Sequence, residues 1–286
     1  MSQSQSIQTV AVIGAGVMGS GIAISSVLAG YRTLLFDLRT EAVEKGEAYV
    51  RKQLQSSLEK GRIDQEQHDK ALALLHPCTD FSALKAEFIL EAVVEKLEVK
   101  RELFAKLEAQ NSPDSILATN TSSIPITQIA TGLMHPQRLV GVHFFNPAHI
   151  MKLVEIIKGA ATSSEVAEAS FAWAQSLKKT AVYAADSPGF IVNRVARHYY
   201  VEALKMVEEG VADFETIDAH MEALGFKMGP FRLLDLIGVE TNYSVTSSMF
   251  EQFNYDSKFR PSRIQKQKVD AGHHGRKSGK GFYTYE

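Results

Sequence analysis

His143 and Glu155 have the residue types of a proton-transfer pair. His143 lies near the end of the apolar run Arg138 to Phe145, and Glu155 is a lone acid inside Leu153-Val154-Glu155-Ile156-Ile157. A hairpin-like return between the two runs would bring imidazole and carboxylate into contact. The carboxylate would then fix the tautomer and favour the imidazolium, which suits a histidine that accepts a proton from a substrate. A buried histidine–glutamate pair can equally serve the fold alone, and periodicity does not separate the two readings. His149 competes for the same role. Ser122 and Asn193 are short hydrogen-bonding groups in small or apolar surroundings, and Lys277 sits in a glycine- and lysine-rich tail. Singly, each of these three is an ordinary loop or helix-start residue.

The elements that must position these groups begin with Val10 to Asp37. Val10-Ala11-Val12-Ile13 reads as a strand, Gly14-Ala15-Gly16-Val17-Met18-Gly19 as a turn, and the segment to Gly30 as a helix. Arg32-Thr33-Leu34-Leu35-Phe36 is a second strand that stops at Asp37. Strand, glycine turn, helix, then strand and acid is the context of a dinucleotide-binding fingerprint. Gly14 allows the tight turn, Gly16 the approach of a pyrophosphate, and Gly19 close helix–sheet packing. The amides of Val17 and Met18, and Gly21 one turn on, open the helix whose N-terminus favours negative charge. Asp37 would accept from the adenosine ribose hydroxyls and repel a 2′-phosphate, so NAD is expected over NADP. Arg39 argues the other way.

A long helix is expected from a cap at Thr40 to about Lys60, then another from about Gln65 to Leu75. This pair, about 40–75, should project from the sheet. Its Lys52, Lys60 and Arg62 form either a solvated face or a dock for an anionic ligand handle. Strands are expected at 87–94, ending in Glu95, and at 115–119, emptying into Asn120-Thr121-Ser122-Ser123. In a doubly wound sheet that carboxyl edge is where ligands sit. Further strands are expected at 138–145, 153–157 and 180–183. Asp186-Ser187-Pro188-Gly189 breaks the pattern, and helices follow at 190–209, 214–224, 233–253 and 264–269. The expected fold is therefore α/β: a Rossmann-type doubly wound domain over 1–186, followed by an all-helical domain over 187–286.

Composition removes several function classes. The 286 residues are 45% hydrophobic with a formal net charge of -2, which gives no electrostatic case for nucleic acid or membrane. The one cysteine, Cys78, fits a reducing compartment, and no metal-ligand spacing is present. Met1 to Gln8 is polar without a leader pattern, and no apolar run approaches the ~20 residues of a membrane span. The expectation is a cytoplasmic protein without a metal.

The chain resembles the short-chain L-3-hydroxyacyl-CoA dehydrogenase family, which includes bacterial 3-hydroxybutyryl-CoA dehydrogenases. The resemblance rests on Val12 to Ala23, Ala118 to Ser123, Val142 to Pro147 with Met151 to Glu155, Asp186 to Arg194, Met228 to Phe231 and Gly275 to Tyr283. It implies NAD-dependent interconversion of (S)-3-hydroxyacyl-CoA and 3-oxoacyl-CoA, in a cleft between two domains, by a homodimer joined through the C-terminal domain. By motif position, His143 matches the catalytic base and Glu155 its partner, while Ser122 and Asn193 match the groups on the substrate oxygens. Glu95, Lys100, Asn120, Ser122 and Lys277 match positions near the cofactor. Asn146 matches a position near the substrate, and Lys60 falls near a CoA contact, with Gln53 where some members have serine. Asn193 to Tyr200 is similar to the 3-hydroxyadipyl-CoA dehydrogenases of phenylacetate breakdown, and Lys227 and Arg232 are cations that could meet a distal carboxylate. Non-catalytic crystallins of this family supply a third, remote reading.

Overall fold

Short buried strands alternate with helices through the first part of the chain, and the computed structural model describes residues 7–286. In order these are β1 (Thr9–Ile13), α1 (Val17–Leu28), β2 (Arg32–Phe36), α2 (Thr40–Glu59), α3 (Gln65–Leu74), β3 (Leu75–Cys78) and β4 (Phe88–Glu91). Then come α4 (Leu97–Gln110), β5 (Ile116–Thr119), α5 (Ile126–Ile129), β6 (Leu139–Phe144), β7 (Leu153–Lys158), α6 (Ser164–Ser176) and β8 (Thr180–Ala185). The eight-stranded sheet runs β3-β2-β1-β4-β5-β6-β7-β8. Every pairing is parallel except β6 with β7. Chain direction across the sheet reverses between β1 and β4, which creates the crevice where ligands of this architecture bind. The central strands β4, β5 and β6 are buried along their whole length, because helices cover both faces of a parallel sheet.

Several elements differ from expectation. The run 87–94 forms a strand only to Glu91, since the Val93 amide turns back onto the Glu91 carboxylate at 2.7 Å. Thr40 does not cap α2: it is the first helical residue, and Arg39 holds the cap position without a side-chain bond. The helix pair is anchored to α1, because Val50, Leu54 and Ala71 join Ile22, Ala23 and Val27 in one core cluster. Strand β3 was hidden by Pro77, which is tolerated at this sheet edge. Helix α6 was hidden by its small residues, although Val166 and Trp173 anchor it in the core.

A second compact unit begins at Pro188. It contains α7 (Val192–Glu208), α8 (Phe214–Ala223), α9 (Pro230–Ile237), α10 (Val239–Gln252) and α11 (Arg263–Asp270). The expected single helix 233–253 is two helices, divided at Gly238, whose φ of 106° lies in a region costly for any side chain. Tyr200, Leu204, Phe231, Leu234, Val239 and Phe282 form its core. Two buried carboxylates fasten this unit. Asp218 accepts from the Phe231 and Arg232 amides at 2.9 Å each and from the Tyr283 hydroxyl at 2.8 Å. Asp235 accepts from the Phe282 and Tyr283 amides at 2.9 Å each and from the Tyr285 hydroxyl at 3.0 Å. Burial and the Asp235 bond push the Tyr285 phenol up to about 12. Replacing Asp235 with Ala strands one buried and one part-buried amide, so urea unfolding should show a loss of about 2 kcal/mol. Asp235→Asn, which keeps one acceptor oxygen, should lose less.

Candidate active site

The antiparallel turn of β7 determines where the acid of the pair goes. His143 of β6 and Glu155 of β7 are direct cross-strand partners, so their side chains rise from the same face of the sheet. His143 Nδ1 and Glu155 Oε2 are 2.8 Å apart, with His143 5% exposed and Glu155 0%. The hairpin-like return expected from sequence is therefore formed, and it brings His143, and not His149, to Glu155. His149 is half-buried, edge-on to Tyr49 at 6.0 Å, where burial and the Lys179 charge depress its pKa. The β5 exit is tied to this place as well, because Asn120 Oδ1 accepts from the Phe144 amide at 2.8 Å.

Beside the pair, a carboxylate organises the loop after β5. Glu95 Oε1 accepts from the Ser122 and Ser123 amides at 3.0 and 3.2 Å, the Ser123 hydroxyl at 3.0 Å and the Thr121 hydroxyl. Its other oxygen lies 3.1 Å from Lys100 Nζ. Burial alone would raise this carboxyl, but the Lys100 charge and the Thr121 and Ser122 bonds hold it below the usual carboxylate range. Its contribution to the folded state is therefore full above the ordinary carboxylate pKa and is lost only as pH falls through the lowered value.

Lys100 is buried on α4 and also meets the fully buried Glu91 at 2.6 Å, while Glu91 takes the Thr119 hydroxyl at 2.6 Å. Both of Lys100's ionic contacts are with protein carboxylates, so it stands behind Glu95 rather than at the crevice surface. Sequence reading missed Glu91. The only signal was an acid closing a strand of otherwise apolar residues.

The glycine turn has the shape a dinucleotide needs. Gly14 has φ 105°, and a Cβ there would stand 2.6 Å from the Ala92 carbonyl; at Gly19 a Cβ would stand 1.8 Å from the Gly14 carbonyl. Gly16 and Val17 are exposed, Met18 is half-buried, and Gly21 packs under Ala148, so the start of α1 is open at its tip and closed beneath. Asp37 follows β2, its Oδ2 accepting from the Ala15 amide and its Oδ1 from the Arg39 amide, each at 3.1 Å. Arg39 is exposed, with its guanidinium 3.9 Å from Asp37.

The remaining candidates are carried by other elements. Asn146 is exposed just past β6, and Lys60 is exposed at the end of α2. Asn193 is half-buried in the first turn of α7, and Lys277 of the tail is paired with Glu240. Among the described residues, no cluster of His, Cys, Asp and Glu could hold a metal.

The model of the 3-hydroxyacyl-CoA dehydrogenase NAD binding domain matches residues 9–187, and that of the 3-hydroxyacyl-CoA dehydrogenase C-terminal domain matches 189–285. The chain belongs to the 3-hydroxyacyl-CoA dehydrogenase family. It is 45% identical to the 3-hydroxyadipyl-CoA dehydrogenase of Escherichia coli over 98% of this chain and 59% of that protein. It is 40% identical to the 3-hydroxybutyryl-CoA dehydrogenase of Mycobacterium tuberculosis over 99% of this chain and all of that protein. The crystal structure of 3-hydroxybutyryl-CoA dehydrogenase from E. coli K12 superposes with a TM-score of 0.96 at 45% identity, covering 98% of this chain and 60% of that one. The chain thus spans about six tenths of the first relative and the full length of the second.

The family's NAD binding domain is the unit that carries the open glycine turn and Asp37, and their geometry fits that cofactor. Asp37→Ser removes the charge that would face a 2′-phosphate. The ratio of kcat/KM for NADPH over NADH should therefore rise at least about tenfold, as measured by steady-state kinetics.

Proposed function

We propose that this protein interconverts short-chain (S)-3-hydroxyacyl-CoA, such as 3-hydroxybutyryl-CoA, and 3-oxoacyl-CoA, using NAD. The observation that carries the reading is the buried His143–Glu155 contact at the carboxyl edge of the family's dinucleotide-binding unit. NAD, when bound, supplies the hydride acceptor for C3, held by the start of α1 and by Asp37.

His143 Nε2, the ring nitrogen away from Glu155, takes the 3-hydroxyl proton, and Glu155 stabilises the imidazolium that results. Ser122 hydrogen-bonds the C3 oxygen from a loop whose backbone Glu95 holds in place. Asn193 steadies the acyl group. The exposed Lys60 and the basic residues near it meet the CoA handle, as the solvated end of α2 permits. Holding the reacting groups in near-attack geometry is the main task of this scaffold.

We further place the protein in the cytoplasm, supported by one unpaired cysteine and by the absence, among the described residues, of a helix able to cross a membrane. A homodimer through the C-terminal unit is supported by exposed apolar side chains there, including Val195, Leu224 and Phe226.

A second reading, a 3-hydroxyadipyl-CoA dehydrogenase, is favoured by the E. coli relative. The cations expected to serve it are poorly suited. Arg232 is paired with Glu222 at 2.9 Å and lies over the Tyr283 ring, and Lys227 is exposed. The formed histidine–glutamate pair weighs against a non-catalytic role.

The test is NADH oxidation with acetoacetyl-CoA by wild type, His143→Ala and Glu155→Ala. Turnover should fall by ~100-fold or more in each variant while NADH binding, read by fluorescence, is retained. Near-normal turnover in either variant would contradict the proposal.

A further inference from the structure

Two carboxylates share one ammonium at the carboxyl edge of the sheet. Glu91 Oε1 accepts from Lys100 Nζ at 2.6 Å and from the Val93 amide at 2.7 Å, and its Oε2 accepts from the Thr119 hydroxyl at 2.6 Å. Every partner is a donor, the arrangement a carboxylate requires. The second acid on Lys100 is Glu95, 3.1 Å away, and among the described residues neither acid has another ionic partner. Two acids and one base leave a surplus of one negative charge. That surplus faces outward through Glu95, whose side chain is 37% exposed, while Glu91 and Lys100 are closed behind it. The Lys100 charge and the Thr121 and Ser122 bonds keep the Glu95 carboxyl below its usual range, so it is ionised at neutral pH.

Strand order decides what passes in front of Glu95. The ends of β2, β1, β4 and β5 lie in one row, with Phe36 beside Ile13, Ile13 beside Glu91, and Glu91 beside Thr119. Asp37, the glycine turn, Glu95 and the Ser122 loop therefore leave the sheet side by side, and His143 lies on the next strand. A dinucleotide with its adenosine at Asp37 and its pyrophosphate at the glycine turn reaches His143 only across the ends of β4 and β5. The part that crosses there is the nicotinamide end. Its ring carries a positive charge in NAD⁺ and none in NADH.

We propose that Glu95, backed by Lys100 and Glu91, discriminates the redox state of the cofactor and favours NAD⁺ through its surplus negative charge. The inference rests on the reading of this unit as an NAD-dependent dehydrogenase with His143 as its base. Oxidation of the 3-hydroxyl group sends a hydride from C3 to the ring and the hydroxyl proton to His143. One positive charge leaves the ring and one appears on the imidazole. Glu155 favours the arrival and Glu95 resists the departure, so the two acids act on opposite ends of one charge movement. Glu91 has a part in this, because an ammonium paired with Glu95 alone would cancel the charge that the ring meets.

The test is equilibrium binding of NAD⁺ and of NADH without acyl-CoA, by calorimetry and NADH fluorescence, so the readout stands apart from turnover. Glu95→Gln keeps the size of the side chain and an acceptor for the Ser122 amide, and removes the charge. Its Kd for NAD⁺ relative to that for NADH should rise about tenfold over wild type. Glu95→Asp keeps the charge on a shorter stem, so its ratio should stay within about twofold of wild type even where both affinities fall. A ratio unchanged in Glu95→Gln, or one moved equally in Glu95→Asp, would overturn the proposal and leave cofactor binding itself standing. Failure of wild type to bind either nucleotide would instead contradict the cofactor reading, and this inference with it.

Discussion

The hydrogen bond between Glu155 and His143 is the constraint around which the first unit is arranged, because it needs a carboxylate where a parallel sheet has no natural place for one. A fully buried acid is stable only with a partner held at hydrogen-bond distance. The partner is supplied by reversing one strand: β7 runs against β6, and their register sets residue 155 opposite residue 143. A shift of one residue would turn Glu155 to the other face and leave it facing apolar neighbours. The apolar flanks Val154, Ile156 and Ile157, all buried, resist that shift.

The same logic extends along the carboxyl edge. Glu91, at the end of β4, holds Lys100; Lys100 meets Glu95; and Glu95 gathers the amides of the loop that carries Ser122. Glu91 and Lys100, both buried, are stable only as a pair, since removing one leaves the other uncompensated, while Glu95 meets Lys100 from the surface. The outcome is a crevice whose hydrogen-bonding groups are fixed before any ligand arrives. That is the condition under which a scaffold can hold a cofactor and a thioester in reactive geometry. The helical unit shows the same device used for stability in Asp218 and Asp235, which replace missing backbone partners at a helix start and along the tail.

Much of this was readable before any coordinates. The glycine turn, both flanking strands and Asp37 follow from local residue types, since turn chemistry and a short apolar run are nearly sufficient to specify them. The His143–Glu155 contact was legible as a possibility, because an acid inside an apolar strand demands a partner; that the partner is His143 and not His149 came only with the register. Less was legible where tertiary context decides. Pro77 hid an edge strand, and Gly238 split a helix that periodicity ran together. Lys100 reads in sequence as a solvated helix residue, yet two acids from other elements bury it. Arg232 looks available in the sequence; only Glu222 beside it shows that its charge is neutralised.

The most direct measurement on the central claim is ¹⁵N NMR of the His143 ring in the purified protein at neutral pH. The account predicts a proton on Nδ1, held by Glu155, with Nε2 carrying none, and loss of that tautomer preference in Glu155→Gln. A ring protonated at Nε2 and unaffected by Glu155→Gln would contradict it.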